Sequence, residues 1–166
     1  GSLSDFFRIS LNQGQDILDV KEELQHVRSY LEIQQMRYQD ILQYEICVPE
    51  ELNHCQIPKI TLQPLVENAL YHGIKNKRGK VMIRIEGELD GENCILLITD
   101  NGKGMTPERL EQVRKGIRNR KARETDIYGL YNVNERIRLN FGENYGITIT
   151  STYGEGTCVT VRLPQY

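Results

Sequence analysis

The sequence lacks long apolar runs and lacks an excess of charge of one sign. The longest strongly apolar run, Cys94 to Ile98, is far shorter than the roughly 20 residues that a membrane-spanning helix needs. The 166 residues include 21 lysine and arginine against 23 aspartate and glutamate, so the net charge is −2. We therefore expect a soluble chain that makes no membrane contact and has no global basic surface to attract nucleic acid.

The sequence also lacks the cysteine and histidine spacing of a metal site. None of the four cysteines forms a C-x-x-C pair, and the three histidines do not have the spacing of a zinc site. All four cysteines lie in or beside apolar or strand-like stretches: Cys47, Cys55, Cys94 and Cys158. This pattern predicts reduced cysteines that pack within a cytosolic protein and form no metal site.

An initiator methionine is missing as well. The chain opens on Gly1-Ser2, and we interpret residues 1–2 as the scar of a cleaved expression tag on a fragment. With 39% hydrophobic residues, the chain can bury one core but hardly two independent ones. We therefore expect one globular domain at 44–166, preceded by a helical segment at 3–43.

The segment 3–43 has the periodicity of two helices. Residues 3–12 place four apolar side chains on one face, and Asn12-Gln13-Gly14 ends that pattern. A second helix is predicted from Val20 to Leu42, with Asp19 as N-cap and Glu22 completing a capping-box-like start. These helices have no evident mutual core, so we expect them to pack against the rest of the chain or against a second copy.

From Tyr44 onward the sequence contains runs rich in isoleucine, valine and threonine. Three helices are predicted between these runs: 61–72 closing at Gly73, one beginning at Thr106-Pro107, and 130–141. Strands beside helices favour an α+β fold, a two-layer α/β sandwich with helices on one face of the sheet. The predicted strands are 44–48, 81–87, 94–100, 146–151 and 157–163.

A first motif, Asp100-Asn101-Gly102-Lys103-Gly104-Met105, directly follows the apolar strand CILLIT. Two glycines let the backbone approach a ligand closely, and an acidic side chain there can accept a hydrogen bond from an exocyclic amine. The motif therefore suits an adenine base. An ordinary strand-to-helix turn is the alternative, and for this motif alone it is the simpler explanation.

A second motif, Gln63 to Gly73, is a predicted helix with an apolar side and a polar edge. Asn68 and His72 are four residues apart and share a face, while Glu67 lies on the neighbouring one. An asparagine oxygen suits Mg²⁺ where phosphates and water supply the other ligands. A solvated helix face is the alternative, and for His72 alone it is the simpler explanation.

A third motif places Gly129 and Leu130 at the predicted start of a helix, where free backbone N–H groups commonly face a phosphate. A fourth, Gly154 to Thr157, is a tight turn into the last strand, which a simple hairpin loop also explains. Between the first and third motifs, Lys103 to Arg123 hold eight lysine or arginine and two glutamate. This excess of positive charge favours a lid that closes on a bound triphosphate. A disordered basic surface loop is the alternative.

Taken in order, the four motifs resemble the N, G1, G2 and G-x-G-T boxes of the GHKL ATPase superfamily. IPKITLQPLVENALYHGI, DNGKGM and GLYNVNERI, preceded by EELQHVRSYLEIQQMRY, look like bacterial sensor histidine kinases of the YesM/LytS type. The resemblance implies a Bergerat fold, in which helices cover one face of a mixed sheet. It also implies that 44–166 is the ATP-binding domain and 3–43 the tail of a dimerisation region and linker.

At the adenine end, the resemblance implies that Asp100 receives the amino group of the base. Gly102 and Gly104 would shape the pocket, and Thr157 would lie beneath the base. Further nucleotide contacts are implied for His72, Met105, Gly129 and Leu130.

At the phosphate end, the resemblance implies that Asn68 holds Mg²⁺ and that Glu67 helps to activate the attacking imidazole. Pro64 stands where gyrase and MutL have an acid, which argues against a hydrolytic ATPase. Ile127 replaces the first glycine of the usual G-x-G-L box, and Tyr131 replaces its cation. Because isoleucine tolerates positive φ poorly, we expect a different or looser lid hinge and modest nucleotide affinity.

The function implied by the resemblance is transfer of the γ-phosphoryl group of ATP to a histidine. That histidine is expected upstream of the chain, because His26, His54 and His72 lack the N-P-H-F-L-Y-N-like context of the acceptor. The implied partners are ATP, Mg²⁺, a second copy in a homodimer and a response regulator. The implied location is the cytoplasmic side of a bacterial plasma-membrane receptor. An ATP-binding clamp and a degenerate nucleotide-binding module remain alternatives.

Overall fold

The computed structural model describes residues 16–75, 79–119 and 124–165. Its elements in chain order are β1 (Ile17–Asp19), α1 (Val20–Arg37), β2 (Leu42–Cys47), a 3₁₀ turn (Glu50–Leu52), β3 (Gln56–Pro58), α2 (Leu62–Lys75), β4 (Val81–Asp90), β5 (Asn93–Asp100), α3 (Pro107–Ile117), α4 (Thr125–Phe141), β6 (Gly146–Thr152) and β7 (Gly156–Pro164).

The main sheet has five strands in the order β2-β4-β5-β7-β6. Strand β2 runs parallel to β4 and the remaining neighbours are antiparallel, so the sheet is mixed, as predicted. All five predicted strands are present. Asp100 pairs with Thr157 across β5 and β7, and this register brings the first and fourth sequence motifs side by side. Strands β1 and β3 form a separate antiparallel ribbon that the sequence patterns did not indicate.

Within the described residues, helices cover one face of the sheet, and the side chains on the other face are half-buried or exposed. In β4, Val81, Ile83 and Ile85 are buried, whereas Arg84 and Glu86 point to the exposed side. This alternation is the period-2 pattern of a half-buried strand. The predicted two-layer α+β architecture is therefore confirmed.

The N-terminal segment agrees with the prediction only in part. The first predicted helix, 3–12, lies outside the described residues. Helix α1 begins at Val20 with the Asp19 capping box, as predicted, but it ends at Arg37 and not at Leu42. Leu42 instead starts β2 opposite Val81, because pairing with β4 buries a side chain that the helical period had placed on a helix face.

Helix α2 continues past its predicted end. Gly73 lies inside the helix, where its missing side chain makes room for Val81: a Cβ at Gly73 would lie 2.7 Å from Val81 Cγ1. Helix α3 begins at Pro107 with Thr106 as N-cap, as predicted, and its apolar side is buried. The disordered-loop alternative is therefore wrong for 107–117. Among the residues that the structure describes, no helix combines the length and apolar character of a membrane span.

Candidate functional site

A cavity of about 590 Å³ opens between α2, the end of β5, α3 and the start of α4. This volume lies within the usual range for small-molecule sites. Most of the side chains and glycines predicted to form a site line it: Asn68, His72, Asp100, Gly102, Gly104, Met105, Leu130 and Thr157. Glu67 and Gly129 are not part of this lining. The cavity wall also has an apolar part, formed by Leu65, Ala69, Ile98, Val113, Ile127, Ile149 and Val159.

Asp100 ends β5 and presents its carboxylate to the cavity. Its Oδ1 accepts a hydrogen bond of 2.8 Å from the Gly102 N–H. Burial raises the pKa of Asp100 above its ordinary value, while the N–H groups of Gly102 and Thr157 and the nearby His72 act in the opposite direction. A carboxylate has about four acceptor positions, so it can accept a further donor from a ligand.

Two glycines bring the loop after β5 against the turn before β7. Gly104 has φ +74°, and a Cβ there would lie 2.1 Å from the Thr152 carbonyl oxygen. Gly156 has φ +136°, and a Cβ there would lie 2.0 Å from the Asp100 carbonyl oxygen. Only glycine permits both the dihedral angles and the close backbone approach. The wall beside Asp100 therefore depends on these two positions.

Ser151 joins the two walls and was not predicted as a site residue. Its hydroxyl oxygen accepts a hydrogen bond of 2.8 Å from the Met105 N–H and donates one of 2.9 Å to the Gly156 carbonyl. The Thr157 hydroxyl lies 2.9 Å from the same oxygen. The only signal for this role is the register of β6 and β7, which sets Ser151 opposite Thr157 and is not visible in the local sequence.

The polar residues of α2 face two different ways. Asn68 and His72 line the cavity, as their spacing predicted. Glu67 faces a second cavity of about 350 Å³, between α1 and α2, that includes Tyr30. There Gln63 Nε2 donates a hydrogen bond of 3.0 Å to Glu67 Oε1. Adjacent residues of one helix thus contact separate spaces.

The prediction that Gly129 lies at a helix N-terminus is wrong. Helix α4 begins at Thr125, and the Tyr128 N–H already donates to the Glu124 carbonyl at 2.8 Å. The free N–H groups therefore precede Gly129. Ile127 is buried in the first turn against Gly116, and this packing extends the helix toward the N-terminus. Because Ile127 is helical, its position needs no positive φ, so its conformation differs from the one that a glycine in this box would permit.

Ion pairs between helices cross the mouth of the cavity, and the sequence did not indicate them. Arg109 of α3 forms two hydrogen bonds to Glu124, one of them 2.8 Å long, and another of 2.8 Å to Gln112. The hydrogen bond from Arg109 lowers the pKa of Glu124. His72 Nε2 lies 2.9 Å from Asp126 Oδ2. The start of α4 is thereby joined to both α2 and α3.

Comparison with family models identifies the family of this chain. A family model described as "Histidine kinase-, DNA gyrase B-, and HSP90-like ATPase" matches residues 58–166. The chain belongs to this family. A second family model, described as "Histidine kinase", matches residues 1–42. The resemblance carried by the four sequence motifs is confirmed.

Several curated relatives of this ATPase-family chain match nearly its whole length. Sensor histidine kinase YesM of Bacillus subtilis is 36% identical over 165 residues, which are 98% of this chain and 26% of that protein. Sensor histidine kinase BtsS of Escherichia coli K12 is 33% identical over 162 residues, 98% of this chain and 26% of BtsS. Sensor protein kinase HptS of Staphylococcus aureus USA300 is 32% identical over 162 residues, 98% of this chain and 31% of HptS. The chain thus spans about a quarter to a third of the length of these relatives.

Solved structures share the fold at low sequence identity. The catalytic domain of histidine kinase ThkA, in a nucleotide-free form, is 14% identical with a TM-score of 0.66, covering 90% of this chain and 94% of that one. The mycobacterial sensor histidine kinase MprB is 16% identical with a TM-score of 0.59, covering 90% of this chain and 97% of that one. These likenesses establish the architecture alone.

Proposed function

We propose that this chain is the ATP-binding catalytic portion of a two-component sensor histidine kinase. It would transfer the γ-phosphoryl group of ATP to a histidine of the kinase located upstream of this chain. The observation that carries the proposal is the Asp100 carboxylate in a cavity walled by two glycine-dependent turns. Membership of the ATPase family and the sensor kinase relatives support it.

Adenine recognition follows from the side chains around Asp100. Its carboxylate can accept a hydrogen bond from the adenine amino group, since Gly102 and Thr157 do not use all of its acceptor positions. The apolar lining gives the faces of the base a dry surface on which to pack. In this proposal Thr157 lies beneath the base, while Met105 and Leu130 contribute further contacts.

The phosphates would lie toward the mouth, where the lining changes to Asn68, His72, Lys75, Lys103 and Arg109. Among the described residues, no group of three acidic, histidine or cysteine side chains could hold a metal. Magnesium is ordinarily bound by few protein oxygens together with phosphates and water, and the Asn68 amide oxygen fits that donor set. When bound, Mg²⁺ would neutralise phosphate charge during transfer.

Phosphoryl transfer needs mainly alignment of the γ-phosphate with the acceptor. We assign Glu67 to the acceptor side, because it lies next to Asn68 in sequence but faces α1 and not the nucleotide cavity. An imidazole that approaches from that side could give its proton to this carboxylate. The proposal includes a second copy and a response regulator as partners, and a cytoplasmic location in a membrane-anchored parent.

Calorimetry of nucleotide binding tests the adenine site. Asp100→Asn should weaken ATP binding roughly ten- to 150-fold, because an amide NH₂ group that faces the adenine amino group cannot accept its hydrogen bond. Asp90→Asn is the matched control, since Asp90 is exposed at the far end of the β4–β5 hairpin. Equal ATP affinity in Asp100→Asn and the wild type would remove Asp100 from the site.

Transfer to a supplied acceptor tests the reaction. Incubation with γ-labelled Mg-ATP should leave the chain itself unlabelled and should label a separate polypeptide that carries the upstream acceptor helix. Transfer should be slow, because the effective concentration of a tethered acceptor, on the order of millimolar, is lost. Label on His26, His54 or His72 would contradict the proposal. Binding without any transfer would indicate the clamp alternative, and no binding would indicate a degenerate module.

A further inference from the structure

The N-terminal end of α4 carries two carboxylates that line the cavity. Glu124 is the N-cap residue of this helix, and Asp126 lies in its first turn. The third sequence motif predicted that a phosphate would face the start of this helix. In the structure, the positive end of the helix dipole instead lies beside the protein's own anions.

These carboxylates already engage side chains that a phosphate chain could contact. Glu124 accepts two hydrogen bonds from Arg109, and Asp126 Oδ2 lies 2.9 Å from His72 Nε2. The four side chains are each between 33% and 49% exposed. Ion pairs with this exposure contribute little to stability and can exchange partners with a competing anion.

The charge at the cavity does not by itself favour a polyanion. Besides His72, the charged lining residues are three cations, Lys75, Lys103 and Arg109, and three carboxylates, of Asp100, Glu124 and Asp126. A triphosphate that enters this mouth would therefore approach the carboxylates of Glu124 and Asp126 as well as the cations. Like charges at short distance oppose binding, especially where a cavity limits screening by water.

We propose that Glu124 and Asp126 are specificity-determining residues that act as internal competitors of the nucleotide phosphates. They hold Arg109 and His72 while the site is empty, and phosphate oxygens replace them as partners when nucleotide binds. The consequence is a smaller gain in affinity for each phosphate added to adenosine. This inference rests on the proposed function, because it takes an adenine nucleotide as the ligand.

Charge-neutral variants test the competition directly. Calorimetry at low salt compares adenosine, ADP and ATP on the wild type, Glu124→Gln, Asp126→Asn and the double variant. The double variant should bind ATP about three- to tenfold more tightly than the wild type, should gain less for ADP, and should leave adenosine unchanged. The gain should shrink as salt is added.

Two further variants separate this mechanism from a general charge effect. Glu135→Gln removes an equivalent carboxylate from the same helix, where it pairs with Arg138 outside the cavity lining, and should leave ATP affinity unchanged. In an Arg109→Gln background, Glu124→Gln should give a smaller gain, because no cation is released. Far-UV circular dichroism of each variant checks that the fold is kept.

Each contrary result has a defined meaning. Unchanged ATP affinity in the double variant, or an equal gain for adenosine, would overturn the inference while leaving the proposed function in place. A loss of affinity that appears with Mg²⁺ but not with EDTA would show that the carboxylates serve the metal, and would also overturn it. If the wild type binds no adenine nucleotide, the proposed function fails and this inference fails with it.

Discussion

The two sides of α2 differ in the kind of contact they make. On the α1 side, the Glu23 carboxylate is only 1% exposed and accepts hydrogen bonds from the backbone N–H groups of Thr61, at 2.8 Å, and Leu62, at 3.0 Å. On the cavity side, His72 contacts Asp126 through a pair that is more than one-third exposed. The first contact is buried, whereas the second is open to solvent.

The residues just before α2 are held by further contacts from α4 and β3. Ile60 has φ +60°, the only positive φ of a non-glycine residue within the described part of the chain. A β-branched residue in this region is strained and persists only where surrounding contacts determine it. Here Arg136 donates a hydrogen bond of 3.3 Å to the Ile60 carbonyl, and the Thr61 hydroxyl donates one of 2.7 Å to the Pro58 carbonyl.

This difference suggests a division of roles along one helix. Glu23 anchors the N-terminus of α2 to the helix α1 that precedes the sheet, and thereby places Asn68 and His72 at the cavity. Under the inference drawn above, the pairs at the mouth exchange partners with the nucleotide phosphates.

Loss of the buried anchor should have the largest effect. Glu23→Ala leaves two buried N–H groups without their acceptor and should lower the free energy of unfolding by about 2–4 kcal/mol. Both hydrogen bonds end on Glu23 Oε1, so Glu23→Gln should retain much of the stability. Glu32→Ala, at an exposed position of the same helix, is the control. Urea denaturation measures all three, and equal costs for Glu23→Ala and Glu32→Ala would refute the anchor.

The glycine wall on the cavity side should be nearly as sensitive. Gly104→Ala combines a strained φ with overlap on the Thr152 carbonyl and should cost about 2–3 kcal/mol of stability. Gly91→Ala has a similar φ of +63° but open space around its Cβ, so it should cost only about 1 kcal/mol. Thermal unfolding and ATP titration of the two variants separate the cost of the positive φ, which both share, from the cost of the overlap with Thr152, which only Gly104→Ala has. Similar losses in both would mean that the backbone contact is unimportant.

Neighbouring substitutions on α2 should have separable effects on binding and transfer. Asn68→Ala should reduce the Mg²⁺ enhancement of ATP affinity by about tenfold, with less effect on metal-free ATP. Glu67→Gln, on the α1 side, should leave ATP affinity unchanged and slow transfer to a supplied acceptor. Calorimetry with and without Mg²⁺, combined with a labelled-phosphate assay, measures both. If Glu67→Gln weakens ATP binding as much as Asn68→Ala does, the two sides are not independent.

The smallest expected effect concerns stability at the site itself. Since burial raises the folded-state pKa of Asp100, the ionised carboxylate destabilises the fold. This cost develops as pH rises from the ordinary value of 3.8 through the folded-state pKa, and it persists above that value. Asp100→Asn should therefore raise the Tm at neutral pH, and this gain should disappear well below pH 3.8. A gain that is the same at both pH values, or is shared by the exposed Asp90→Asn, would contradict this origin.

Local patterns were sufficient for much of the architecture. Runs rich in isoleucine, valine and threonine predicted every strand of the main sheet, and the Asp19 and Thr106 caps predicted two helix starts. The motifs around Asn68 and Asp100 predicted residues that line one cavity. These features depend on periodicity, capping and glycine conformation, which involve residues only a few positions apart.

The tertiary structure alone decided the remaining features. Leu42 joined a strand because β4 offered a partner, and α4 began before Gly129 because Ile127 packs on Gly116. Glu23 accepts hydrogen bonds from N–H groups that are 38 and 39 residues away in the sequence. Arg109 donates a hydrogen bond to Glu124, which is 15 residues away. Such contacts arise only when separate elements pack together. The sequence therefore determined which residues could form strands, caps and a cavity lining. Packing between helices decided which way Glu67 faces and which carboxylates contact Arg109 and His72.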